Sequence, residues 1–233
     1  MKNIQILMST FNGEKYLREQ IDSILSQEGK IRISLLVRDD GSSDGTIEIL
    51  KEYEKKNKIK WYKGRNLGPA KSFLDLIKNS DKADYYAFSD QDDYWEPDKL
   101  INAVKCLDKK KSDVGKLYYS ALNIVDKNLN FKRKTVINEE IDFKKGIVRN
   151  QATGCTMVFN NYIRTFLLDK DFEYVGMHDS LLYRLALLYN WHIYRDDKSY
   201  IKYRQHENNV LGMTYSRVGN LKKKIRKFFT DEC

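Results

Sequence analysis

Through Leu107 the chain alternates between short apolar runs and longer segments whose apolar residues recur at helical spacing. The runs are 3–8, 31–37, 59–62 and 85–89, rich in Ile, Leu, Val and Tyr. Between them, residues 14–27 carry Leu17, Ile21, Ile24 and Leu25 on one helical face, and 45–56, 69–78 and 97–107 also read as helices. Pro69 suits a first helical turn, and Asp44 suits an N-cap. A strand–helix–strand order requires crossovers between parallel strands. The pattern therefore predicts an α/β fold with a mostly parallel, twisted sheet flanked by helices.

The second half is less regular. Residues 117–120, 156–159, 191–195 and 200–203 read as strands, and 178–189 as a helix. Near the C-terminus, Leu221, Ile225, Phe228 and Phe229 oppose a run of lysines and arginines, an amphipathic helical pattern. Apolar residues make up 41% of the chain, enough for a sizeable core, and only two prolines occur. With no low-complexity linker, the division expected is one domain over 1–212, in halves 1–110 and 111–212, and a basic helix over 213–233. The run at residues 4–8 is far shorter than the roughly 20 apolar residues of a membrane span, and it reads as a strand, not a leader. Cys106, Cys155 and Cys233 lack metal-ligand spacing, and an odd, scattered set is expected to be reduced, in a cytoplasmic protein.

In parallel α/β sheets ligands bind beyond the carboxyl ends of the strands. Three polar clusters fall there: Ser9-Thr10-Phe11-Asn12, Asp39-Asp40-Gly41-Ser42 and Asp90-Gln91-Asp92-Asp93. Crowded carboxylates repel one another, and a hard divalent cation such as Mg²⁺ or Mn²⁺ removes the repulsion while bridging to diphosphate. An acidic turn ahead of the helix at Pro97 is the plainer alternative. Asp39 and Asp40 could accept hydrogen bonds from a base or ribose. Residues 64–71 end at a helix start, where phosphate is attracted, with Arg65, Asn66 and Lys71 as possible nucleotide contacts; the glycine spacing is not that of a Walker loop. On spacing alone Asp179, after His178, is an ordinary helix-start acid that could also serve as a general base. His206 could complete a metal shell, and His178 and Arg204 are expected on the acceptor or phosphate side, where Arg204 could meet a phosphate.

In this order, the segments resemble the family-2 inverting glycosyltransferases of GT-A fold, over residues 3 to 212. Met8-Ser9-Thr10-Phe11-Asn12-Gly13 is similar to that family's first strand end, Arg38 to Thr46 to its nucleotide-contacting turn, and Asp90-Gln91-Asp92 to its Asp-x-Asp motif. His178-Asp179 and the stretch from Tyr203 to Asn209 look like the bacterial rhamnosyltransferase-like branch, although Ser180 and Leu181 stand where that branch often has two tryptophans. The resemblance implies that Asp40 meets a pyrimidine base, Asp90 lies near the ribose, Asp92 binds Mn²⁺ or Mg²⁺, and Asp179 is the catalytic base. It implies a dTDP- or UDP-linked sugar donor bound by the first half. A glycan or lipid-linked acceptor would approach the second half, in the synthesis of bacterial surface polysaccharide.

The net charge of +9 favours anionic partners without choosing among them. A nucleotidyltransferase would show a basic, Gly-rich loop after the first strand, where this chain has Ser9 to Gly13. A nucleic-acid-binding domain would not set acidic clusters at its pocket, so no nucleic acid is expected. The basic tail either packs on the domain or holds the enzyme on the inner face of the plasma membrane.

Overall fold

The computed structural model describes residues 1–110, 113–137, 143–148, 150–170, 172 and 174–206. The expected tail helix at 213–233 and residues Glu207, Asn208 and Asn209 lie outside the described residues. Strands β1 (Lys2–Thr10), β2 (Ile31–Asp39), β3 (Lys60–Lys63) and β4 (Tyr85–Ser89) are parallel neighbours in the order β3-β2-β1-β4. Helices α1 (Leu17–Leu25), α2 (Thr46–Lys55) and α3 (Gly68–Lys78) are the crossovers. Beyond β4 the sheet continues with β8 (Val158–Asn160), β6 (Lys116–Val125), β9 (His192–Arg204) and β5 (Tyr94–Trp95), while β7 (Phe131–Lys134) pairs with β6. β8 runs antiparallel to both β4 and β6, and β6 and β9 are parallel. The sheet is thus parallel from β3 to β4 and mixed beyond.

The alternation of side chains along each strand divides the core between two faces. Ile4, Ile6 and Met8 of β1 pack with Leu17, Ile21 and Ile24 of α1 and with Leu100, Ala103 and Leu107 of α4 (Lys99–Leu107). Leu7 points the other way, with Phe88 of β4, Phe73 and Leu76 of α3, Ile163 of α6 (Asn161–Leu168), and Leu182 and Tyr183 of α7 (His178–Leu188). Strands buried on both faces read as continuous apolar runs, which is why β1, β2 and β4 were visible in the sequence.

Register then fixes the site. Thr10 of β1 pairs with Asp39 of β2, and Met8 pairs with Ser89 of β4. The three polar clusters therefore emerge side by side at one sheet edge.

The second half departs from expectation in several places. The two predicted strands at 191–195 and 200–203 are one, β9, carried through the polar stretch Asp196-Asp197-Lys198 by register shifts against β6. The strand predicted at 156–159 is preceded by a 3-10 turn, Gly154–Thr156, and starts at Val158. β5, β7, α5 (Phe143–Val148) and α6 were not anticipated. Asp44 is not the N-cap of α2; Gly45 is, and Asp44 accepts from the Thr46 amide at 3.1 Å one residue earlier. Among the described residues no helix is long and apolar enough to cross a membrane.

Candidate functional site

A cavity of about 1330 Å³ opens at the edge where β1, β2 and β4 end, and the start of α7 also lines it. The β1 end bends sharply: Asn12 takes a left-handed conformation, φ +48°, which Asn tolerates better than most residues. Its amide carboxamide is used locally, Oδ1 accepting from the Ser43 N–H at 2.9 Å. Gln91 ties this bend to β4. Its Oε1 accepts from the Thr10 hydroxyl at 2.6 Å and from the Phe11 amide at 2.9 Å, and its Nε2 donates to the Phe11 carbonyl at 3.1 Å. Ser9, Phe11, Asn12 and Gln91 line the cavity, whereas Thr10 is turned inward to Gln91.

The β2 end is built on buried charge. Arg38, 2% exposed, pairs with Asp40 and with Asp75 at 2.9 Å, and donates to Ser72 Oγ and the Arg65 carbonyl. A Cβ at Gly64 would run into the Arg38 guanidinium, so glycine is needed there. Asp40 also accepts from the Leu67 and Gly68 amides, both at 2.9 Å. Its carboxylate lines the cavity and at the same time holds the turn that leads into α3. Asn66 lines the cavity too. Arg65 and Lys71, the basic residues expected near the nucleotide, are exposed and do not line it; the cations that do are Lys15 and Lys127. Lys127 lies in the turn between β6 and β7, with no sequence pattern to mark it.

The four residues after β4 separate by direction. Asp90 and Asp92 line the cavity. Asp93 is fully buried, accepting from the Arg204 amide at 3.3 Å beneath the cavity floor. Burial, then the charges of Asp92 and Asp179, push the Asp90 carboxyl up to about 7. Asp93 is raised well above the usual carboxylate range, first by burial and then by Asp92 and Asp90. Cys155, without ligand spacing in the sequence, is brought beside them, so that one potential ligand atom each of Asp90, Asp93 and Cys155 lie within 4.8 Å of one another.

His206 follows β9, and its Nε2 meets Asp92 Oδ2 at 2.7 Å. Arg204 is not in the cavity lining. It is 2% exposed, and its guanidinium donates to the Asp92 carbonyl at 2.9 Å and the Lys127 carbonyl at 2.6 Å, pairs with Glu19 and lies 4.4 Å over the Tyr16 ring. Instead of reaching a phosphate, it fastens α1, the acidic loop and the Lys127 turn together.

Asp179, in the first turn of α7, accepts from the Gly154 amide at 3.2 Å and the Ser180 amide at 2.6 Å. Burial raises its pKa from the ordinary carboxylate value. It is not the N-cap, which is Met177. His178 also borders the cavity, buried against Phe73. Asp179 and His178 thus share the cavity with Asp90 and Asp92, and the Asp179 charge is felt at Asp90.

The sequence model of glycosyl transferase family 2 matches residues 5–172. The chain belongs to this family. This family 2 glycosyltransferase is 33% identical over 247 aligned residues to the dTDP-rhamnosyl transferase RfbG of Shigella flexneri, covering 93% of this chain and 80% of RfbG. Its fold is that of Staphylococcus aureus TarS, seen in complex with UDP-GlcNAc, with a TM-score of 0.70 at 23% identity over 97% of this chain and 65% of that one. It also resembles the mannosyltransferase PcManGT of Pyrobaculum calidifontis, in complex with GDP-Man and Mn²⁺, with a TM-score of 0.63 at 16% identity over 88% of this chain and 58% of that one. The chain therefore spans less than two thirds of either solved protein. Family membership sets aside the nucleotidyltransferase and nucleic-acid readings, and the sheet is the GT-A type expected.

Proposed function

We propose that the protein is an inverting glycosyltransferase that moves a sugar from a dTDP- or UDP-linked donor to a glycan or lipid-linked acceptor in surface-polysaccharide synthesis. The observation that carries this reading is that Asp179 lines the same cavity as Asp40, Asp90 and Asp92. A proton acceptor and a nucleotide-binding edge then flank one space large enough for a sugar. The similarity to RfbG favours a dTDP-linked donor.

The reaction is a single displacement. The acceptor hydroxyl attacks the anomeric carbon as its proton passes to Asp179, and the bond to the diphosphate breaks on the opposite face. Lys15 and Lys127 offset the charge gathering on the diphosphate. Asp92 and His206 would hold a divalent cation; the carboxylate suits Mn²⁺ or Mg²⁺, and the added imidazole favours Mn²⁺ of the two. The buried group with Cys155 has a softer donor and is less suited to such an ion. When bound, the cation would supply further positive charge to the leaving group.

Asp179→Asn should cut turnover by about 10²–10⁴-fold while leaving donor affinity within about threefold, by single-turnover assay and calorimetry. Near-normal transfer by this variant would overturn the assignment. The same reading has the enzyme in the cytoplasm at the inner face of the plasma membrane, with the basic segment after Asn220 touching anionic lipid. Vesicle co-sedimentation with and without that segment tests it, and equal binding would count against it.

A further inference from the structure

His178 is a buried polar side chain at the start of α7. It is 4% exposed and borders the cavity. Its ring stacks on Phe73 of α3 at 3.9 Å and 29°, and meets Phe88 of β4 edge-on at 4.8 Å and 86°. Two aromatic residues from separate elements therefore fix its plane. Among the described residues, neither Nδ1 nor Nε2 has a hydrogen-bond partner. A histidine kept only for packing would ordinarily satisfy at least one nitrogen on a backbone group, because an orphaned buried donor or acceptor is costly.

The neighbouring backbone makes room for this ring without bonding to it. A Cβ at Gly154 would lie 2.6 Å from His178 Nε2. The Gly154 amide itself donates to Asp179. One glycine thus clears space for His178 and holds the adjacent Asp179.

We infer that His178 hydrogen-bonds a hydroxyl of the sugar being transferred, and so helps decide which donor the enzyme accepts; this rests on the glycosyl-transfer reading above. Burial holds the ring's pKa down to about 3, so the imidazole is neutral, with one N–H donor and one bare acceptor nitrogen. A phosphate oxygen only accepts, and it gains no charge partner from a neutral ring. A sugar hydroxyl both donates and accepts, so it can bond whichever of the two nitrogens it meets. The position agrees. Phe88 lies two residues before Asp90, and Asp179 directly follows His178. The ring borders the cavity that Asp90 and the candidate base also line, where the sugar must lie for the base to serve its anomeric carbon.

The test is calorimetric binding with Mn²⁺ and no acceptor, comparing dTDP with dTDP-rhamnose and UDP with UDP-GlcNAc, for wild type and His178→Phe. The variant keeps an aromatic ring in the stack and loses both nitrogens. In the wild type, one sugar nucleotide should bind more tightly than its bare diphosphate. In the variant that preference should shrink by about five- to tenfold, with the bare diphosphate changed by less than about twofold. An unchanged preference would overturn the inference, including the case where transfer to an acceptor falls, since the histidine would then serve the acceptor. A loss confined to the bare diphosphate would overturn it in favour of a phosphate contact. Failure of the wild type to bind any of the four would sink the glycosyl-transfer reading and this inference together. Should His178→Phe not fold, as judged by thermal unfolding, His178→Leu takes its place under the same criteria.

Discussion

The two walls of the cavity are made differently. On the β1–β4 side, side chains that border the cavity are largely engaged in shaping it: Gln91 binds the Phe11 backbone, Asn12 the Ser43 amide, and Asp40 the Leu67 and Gly68 amides. At the start of α7, His178 has no hydrogen-bond partner among the described residues, and Asp179 is held by the Gly154 and Ser180 amides. The first wall is a scaffold whose backbone turns present the donor-binding edge. The second presents side chains, and its chemistry is expected to be more sensitive to small displacements.

Six substitutions bear on this contrast, taken from the largest expected effect. Arg38→Met leaves Asp40 and Asp75 without their buried partner and should cost about 3–5 kcal/mol in urea unfolding. A loss below about 1 kcal/mol would mean that the first wall does not depend on that charge network. Gly154→Ala pushes on the His178 ring and Asp179, and should lower kcat/KM by about 10²-fold, because such displacements of reacting groups are expensive. If the rate survives while stability drops, the second wall is more compliant than described. Gln91→Ala removes the stitch between β1 and β4 and should reduce stability by about 1–3 kcal/mol, with nucleotide affinity falling only in proportion. A collapse of nucleotide affinity at unchanged stability would make Gln91 a direct contact instead. Finally, Arg65→Ala and Lys71→Ala should each change donor affinity by less than about threefold, since exposed charges are screened. Lys127→Ala should have the larger effect, and the reverse order would restore the helix-start cations to the nucleotide.

The same contrast explains what was legible in the sequence. Strands buried on both faces and helices with one apolar stripe are local patterns, so β1 to β4 and their crossovers could be read, together with the acidic strand ends. The direction of a side chain within a cluster is not local. Asp93 turns under β9 to the Arg204 amide, while Asp90 and Asp92 turn outward, and nothing in the four-residue run distinguishes them. Arg204 looked like a phosphate ligand because its burial depends on Glu19 and on the carbonyls of Asp92 and Lys127, all far away in sequence. β5 spans two residues and exists only by pairing with β9, too short for any period to show. Lys127 reaches the cavity because the β6–β7 turn is pinned there by Arg204. Cys155 has no motif, and only the 3-10 turn carrying Gly154 places it beside Asp93.

Asp92 and His206 are proposed to engage a nucleotide through a divalent ion. Calorimetric titration of the wild type and Asp92→Ala with dTDP and UDP, with and without Mn²⁺, tests this directly. Binding of at least one nucleotide should tighten by about tenfold or more with Mn²⁺ in the wild type, and the gain should vanish in Asp92→Ala. Equal affinity with and without the ion, or a Mn²⁺ gain that persists in Asp92→Ala, would contradict it.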